Sequence, residues 1–126
     1  MYEILQRQEI APKIVQFVIR APQVARSHRA GQFVIVRSHE GGERIPLSVA
    51  DVNREDGTIT LVIQDVGTSS ARLNAHQQGE SFLNVVGPLG SPTHIEKFGR
   101  VVCVGGGVGC APLHPIVKAL RDAGNE

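Results

Sequence analysis

Residues Thr58 to Asp65 read TITLVIQD, and their alternation decides the fold class. Ile59, Leu61 and Ile63 fall on one face and Thr58, Thr60, Val62 and Gln64 on the other, the period of two of a strand with one buried side. Upstream, Asn53 to Gly57 (NREDG) is a turn, and Arg44 to Asp51 (RIPLSVAD) is extended but interrupted by Pro46. Before it come the turn His39 to Glu43 and an apolar strand, Gln32 to Arg37, entered from Gly31. Further back, Lys13 to Arg20 (KIVQFVIR) is a strand rich in β-branched residues, hinged at Ala11-Pro12 to a looser strand from Tyr2 to about Glu9. Residues 22 to 31 hold only an irregular or single-turn segment. Downstream, ARLNAHQQ (71–78) is helix-compatible through Ala71, Leu73 and Ala75, and Ser81 to Val86 is one more short strand before Gly87-Pro88-Leu89-Gly90. Six short strands with a turn signal about every ten residues predict a mainly β fold, a closed six-stranded antiparallel Greek-key barrel.

Past Ser91 to Gly99 the pattern changes, and a boundary is expected near Phe98 or Gly99, giving a barrel over residues 1–98 and a second unit over 99–126. Val101 to Leu120 reads VVCVGGGVGCAPLHPIVKAL. The expectation is an apolar strand at Val101 to Val104, a loop with Gly105, Gly106, Gly107 and Gly109, then a helix starting at Pro112. Leu113, Ile116, Val117 and Leu120 form its apolar stripe and Gly124 its terminating glycine. With that start, Pro112 and Pro115 both fall where no intrahelical donor is missed. A strand, a glycine turn and a helix N-terminus together suit a pyrophosphate. Cys110 stands where G-x-G-x-x-G has its last glycine, and no acidic residue follows on a second strand, so this is half a nucleotide site. One parallel strand and one helix cannot bury each other, so residues 99–126 read as the first strand and helix of an α/β domain that continues or docks on another chain. A homodimer through that strand and helix is a second way to cover them.

With 13 basic and 12 acidic residues the formal charge is +1, which gives no footprint for nucleic acid or an anionic membrane. No apolar run approaches a membrane span, and a cytoplasmic location is expected. Cys103 and Cys110 lack metal-ligand spacing and read as small core residues. His28, His39, His76, His94 and His114 are scattered and read as surface or loop residues, so no metal site is expected.

Two stretches of the barrel invite a ligand. Pro46 cannot donate to a ladder, so the strand from Arg44 must leave part of one edge unpaired. An open edge with the Arg44 guanidinium and the Ser48 hydroxyl suits a flat heteroaromatic ring and a phosphate; an ordinary edge strand with a solvated arginine is the plainer alternative. Gly67 to Ser70 opens a helix, where Thr68, Ser69 or Ser70 can cap and the free N–H groups can seat a second anion; simple capping is again the alternative. No acid/base pair or catalytic triad is evident, and no catalytic side chain is assigned.

On GERIPLSVAD, QDVGTSS, VVGPLG and VVCVGGGVGCAPLHPIVKAL, the sequence resembles the ferredoxin–NADP reductase superfamily, in which a flavin barrel precedes an NAD(P)-binding α/β domain. It is most similar there to the small flavin subunits of NADH-dependent ferredoxin–NADP oxidoreductases (sulfide dehydrogenases), and also to electron-transfer subunits of dihydroorotate dehydrogenases. The resemblance implies FAD along Arg44, Ile45, Pro46, Leu47 and Ser48, with Ser48 near the reactive ring edge. It implies Val62, Ile63 and Gln64 beside the ribityl and adenosine parts, Gly67, Thr68, Ser69 and Ser70 around the pyrophosphate, and Gly105, Gly106, Gly107 and Gly109 for NAD(P) in a partial site. One departure is that Arg44 precedes Ser48 by four residues rather than three, with Leu47 in place of an aromatic.

The resemblance also implies a flavin-dependent NAD(P)H oxidoreductase module that passes electrons to iron–sulfur partners: a larger flavin or iron–sulfur subunit, and ferredoxin. The [2Fe–2S] cluster of the relatives is expected outside these residues, which should keep FAD and lose most nicotinamide affinity. A barrel kept only for docking, its flavin site decayed, is the non-enzymatic reading.

Overall fold

The computed structural model describes all residues from Met1 to Glu126. Strands β1 (Tyr2–Ala11), β2 (Ile14–Arg20), β3 (Phe33–Arg37), β4 (Arg44–Asn53), β5 (Thr58–Gln64), β6 (Ser81–Phe82) and β7 (Asn84–Leu89) are joined by short helices α1 (Pro22–Ser27) and α2 (Thr68–Asn74). A 3-10 turn at Gly107–Gly109 leads into α3 (Cys110–Asp122). The strands run β6-β1-β2-β5-β4-β3-β7, all neighbours antiparallel.

Seven strands stand where six were expected because the last one breaks at Leu83. Its first half pairs with β1 and its second half with β3, so one interrupted strand closes the barrel on both sides. The Leu83 N–H marks the break, donating to the Arg37 carbonyl at 3.0 Å. Closure by a shared strand leaves no long free edge at the ends of the sheet.

The predicted alternation sets the core. Val15, Phe17 and Ile19 of β2, Val34 and Val36 of β3, and Ile59, Leu61 and Ile63 of β5 all point inward and are buried. Phe17 and Phe82 meet edge-on, ring centroids 5.3 Å apart, the arrangement that an aromatic quadrupole favours. Both ends are plugged by helices. Val24 and Ala25 of α1 and Leu73 of α2 complete the core. The segment 22–27 is thus a short helix with Pro22 at its first position, where a missing N–H costs nothing.

Beyond the barrel several expectations fail. Residues 101–104 form no strand, since no neighbouring strand lies there to pair with. Val102 and Val104 are 82% and 87% exposed. Cys103 and Cys110 are exposed rather than core residues for the same reason. The helix begins at Cys110, two residues before Pro112, and Pro115 lies inside it, so the Ala111 carbonyl loses its helical donor. Residues 91–100, which lack regular structure, are tied to the end of α3 through Asn125. Its side chain accepts from the N–H groups of Phe98 (2.6 Å) and Gly99 (2.9 Å) and donates to the Glu96 carbonyl at 2.9 Å. At the start of this segment Thr93 lies over Gly31, where any Cβ would fall 2.2 Å from the threonine Oγ1 and where φ is +94°. No helix is long and apolar enough to cross a membrane.

His28, expected at the surface, caps α1 and is 2% exposed, its Nε2 without a partner. Burial disfavours the imidazolium and lowers the pKa below the usual value; repulsion from Arg54 adds to this, while a hydrogen bond to the Gln32 backbone and attraction from Asp51 oppose it. A lowered folded-state pKa means that the unfolded chain binds the proton more readily. Stability from the neutral ring is therefore complete above about pH 6.5, the unfolded value, and declines as pH falls from there towards the folded one. Replacing His28 with Leu removes this pH dependence. Thermal midpoints measured from pH 7.5 to 5 should fall for the unsubstituted chain and fall less for His28→Leu; parallel curves would contradict the assignment.

Candidate functional site

Strand β4 changes partners halfway along. From Arg44 to Ser48 it pairs with β3, and from Val49 to Asn53 with β5. Strand β5 pairs with β2 along its whole length, but with β4 only as far as Leu61. Between Arg44–Ser48 and Val62–Gln64 the two strands are thus adjacent in order but unbonded. Continuing the register of Val49 opposite Leu61 sets Ser48 against Val62 and Pro46 against Gln64 across this seam. Pro46 lies on the unbonded segment and lacks an N–H, as its sequence position predicts.

The seam's side chains sort by strand period. Arg44, Pro46 and Ser48 are exposed, while Ile45 and Leu47 pack on the core. On β5, Val62 and Gln64 face outward and Ile63 is buried, so Ile63 offers the seam only its backbone. Its carbonyl accepts from the buried Asn74 Nδ2 at 3.1 Å. Asn74 is held in turn by Arg7, whose Nε and Nη2 donate to its backbone carbonyl at 3.2 and 2.6 Å. Nothing in the sequence singles out Asn74, since a lone Asn late in a short helix carries no motif.

At one end of the seam lies a small polar recess of about 70 Å³, lined by Ser38, His39 and Gly41 to Glu43 from the hairpin, Ile45 of β4, and Thr68, Ser69, Arg72 and Leu73 of α2. Helix α2 starts at Thr68 rather than at Ala71 because Gly67 is its N-cap, with no side-chain cap. The Ser70 hydroxyl instead ties the turn, accepting from the Val66 N–H at 2.8 Å and donating to the Gly67 carbonyl at 3.1 Å. Ser70 is buried there, and the Thr68 and Ser69 N–H groups have no protein acceptor. Ser69 donates to the Glu43 carboxylate, and Arg72 to His39 Nε2 at 3.1 Å. Arg44 lies directly opposite Arg37 in the β3–β4 ladder. Like charges so placed repel. Arg37 is engaged by Asn84 Oδ1 at 2.9 Å and by Glu40, whereas Arg44 pairs with no carboxylate. An anion at this end would relieve the opposition.

At the other end lies a larger cavity of about 490 Å³. Ile10, Ala11, Ile14 and Gln16 of the first hairpin, Ala50 and Asp51 of β4, and Thr60 and Val62 of β5 form its barrel side. Gly107, Val108, Cys110, Ala111 and His114 cover it. The wall is chiefly apolar with a few polar groups, the usual make-up of a ring-binding pocket. The glycines divide by role. A Cβ on Gly105 would strike Leu113 Cδ2 at 2.8 Å and Gly107 needs its φ of +57°, whereas a Cβ on Gly106, Gly107 or Gly109 would meet nothing within 4 Å. No group of three His, Cys, Asp or Glu side chains is placed to hold a metal ion.

A barrel with this strand order, seam and glycine turn has a ferredoxin reductase-like fold. The phthalate dioxygenase reductase structure has the same fold, superposing with a TM-score of 0.80 at 20% identity over 99% of this chain and 40% of that one. In sequence the chain is similar to three more particular proteins. It is 49% identical over 124 residues to the dihydroorotate dehydrogenase B (NAD(+)) electron transfer subunit homolog of Thermotoga maritima, covering 98% of this chain and 44% of that protein. The solved structure of an NADH-dependent reduced ferredoxin-NADP oxidoreductase matches with a TM-score of 0.98 and 48% identity, over 100% of this chain and 46% of that one. The electron transfer subunit of Streptococcus mutans dihydroorotate dehydrogenase B is 31% identical over 98% of this chain and 49% of its own length. The chain thus spans a little under half the length of these relatives. No family model matches it. Both resemblances named from the residues are present in these matches.

Asn74 is the support on which the β5 side of the seam rests. Asn74→Ala removes the side-chain donor to a buried carbonyl and should lower stability by about 1–3 kcal/mol in urea unfolding. A change within about 0.5 kcal/mol would show that the bond does not hold the seam.

Proposed function

We propose that the chain is the FAD-holding module of an NAD(P)H-dependent electron-transfer oxidoreductase, with residues 1–98 as flavin barrel and 99–126 as part of an NAD(P)-binding unit. The seam in β4 carries the proposal. It is an edge of backbone unpaired between strands, with an apolar cavity of about 490 Å³ at one end and at the other a polar recess that carries free N–H groups of α2, near the unpaired Arg44 of β4. That sequence of surfaces fits a ring, a polyol chain and a diphosphate, and the uncrowded glycines fit a second nucleotide laid close to the backbone.

In this reading Arg44 and the Thr68 and Ser69 N–H groups bind the diphosphate, and Ser70 holds the turn that presents them. Ser48 and Val62 face each other where the ring enters the cavity. The apolar side chains of the first hairpin exclude water from it. Gly105 lets Leu113 close against the turn, and Gly106, Gly107 and Gly109 keep the approach open for the nicotinamide dinucleotide. Bound FAD supplies the chemistry, accepting a hydride and passing electrons singly to iron–sulfur acceptors. The protein's part is position and electrostatics, which agrees with the lack of an acid/base pair. The partner proposed is a larger flavin or iron–sulfur subunit, with ferredoxin a further acceptor. Two settings share this module, the ferredoxin–NADP and the dihydroorotate systems, and the identities of 48% and 49% favour neither over the other.

Titrating the purified chain with FAD, with the flavin band at about 450 nm as readout, should give saturable one-to-one binding. Colourless protein that refuses FAD would overturn the proposal and leave the non-catalytic barrel. Arg44→Ala should weaken FAD binding by about tenfold or more, the loss expected for a charge-assisted hydrogen bond, and leave riboflavin binding unchanged because riboflavin has no phosphate. An equal loss for both ligands would place Arg44 elsewhere than on the diphosphate.

A further inference from the structure

Helix α3 meets the barrel with an unexpected side. Its apolar stripe, Leu113, Ile116, Val117 and Leu120, lies opposite the face defined by Ala111, His114, Pro115 and Lys118 at 3.6 residues per turn. The second face is the docked one. Pro115 is the buried residue of the helix, His114 Nδ1 donates to the Ala50 carbonyl at 2.9 Å, and Lys118 Nζ donates to Asp51 Oδ1 at 2.8 Å. Both bonds land on consecutive residues of β4. Those residues are a β-bulge, since Val49 pairs with Leu61 and Asp51 with Thr60, leaving Ala50 as the extra residue. A bulge takes its extra residue out of the ladder and re-aims its neighbours. Here it presents a backbone carbonyl to His114 and a carboxylate to Lys118.

The bulge follows directly on the seam segment Arg44–Ser48, and Ala50 and Asp51 also line the ring cavity that the glycine turn covers. One strand therefore carries first the open edge and then the anchor of the turn. We propose that the Ala50 bulge, His114 and Lys118 form a latch that sets the height of the glycine turn over the cavity, so that His114 is a positioning residue for the ring bound beneath it. The inference rests on the reading of that cavity as a ring site. The latch joins the helix to β4 through two polar bonds beside the buried Pro115.

Hydrogen exchange on the chain without ligand tests the latch. An isolated helix of this length is marginal in water, so undocking exposes its amides. His114→Ala should speed exchange at Ile116 to Leu120 by about tenfold or more, although alanine is the better helix former. Amides of Ile59 to Ile63 should not change, and His114→Gln, which restores a donor, should recover most of the protection. Unchanged α3 exchange in His114→Ala, or an equal rise in α3 and β5, would overturn the latch. With FAD bound, iodide quenching of flavin fluorescence should rise at least twofold in His114→Ala. Unchanged quenching beside faster α3 exchange would mean that the latch holds the helix but positions nothing over the ring. Failure of the unsubstituted chain to bind FAD would remove the ring reading and leave the exchange result to decide the latch alone.

Discussion

One strand cannot pair with both neighbours along its whole length, and the opening in the barrel follows from that. Strand β4 bonds to β3 through Arg44–Ser48 and to β5 through Val49–Asn53. Pro46 has no donor to offer on the unbonded segment, and the bulge at Ala50 turns the strand as it changes partner. The remaining strands keep a closed barrel around a continuous apolar core, so the opening is confined to the seam. A closed barrel has few places where backbone polar groups stay available, and this one concentrates them between a cavity and a polar recess.

The polar attachment of α3 follows from the same strand. A helix docked through an apolar stripe would be part of the core. This one is held by a carbonyl and a carboxylate at the bulge, with Leu113, Ile116, Val117 and Leu120 turned the other way. Its position is thereby registered to β4, and the glycine turn that precedes it is registered too. The exposed Val102 and Val104 lie next to that turn.

Most of the barrel was legible in the sequence because strand alternation and turn residues report burial directly. The β2, β3 and β5 core positions all follow from period two, and Pro46 alone marks the seam. The single closing strand was legible as a strand but its break at Leu83 was not, since nothing local distinguishes a residue that leaves one partner for another. The strand at 101–104 failed because a Val-rich run is extended only where another strand completes its ladder. The stripe on α3 is apolar as its spacing predicts but is not the docked side, because periodicity finds a face without saying what covers it. His28 and Asn74 escape sequence reading as buried polar groups for a similar reason. Their burial comes from α1 and α2 folding over the barrel ends, a tertiary event with no motif. At the site, the outward positions of Ser48, Val62 and Gln64 follow from strand period, and the open backbone of the turn follows from its glycines. That Gly67, not a hydroxyl residue, caps α2 and that Ser70 faces inward depended on the turn geometry.

Amide chemical shifts mapped by two-dimensional NMR during an FAD titration would show whether FAD lies along the seam between Arg44–Ser48 and Val62–Gln64. The largest shifts are expected at Ile45, Leu47, Ser48, Val62 to Gln64, Thr68 and Ser69, with a second group at Gly107 to Ala111. Saturable shifts centred instead on residues 91–100, with the seam unmoved, would contradict that placement.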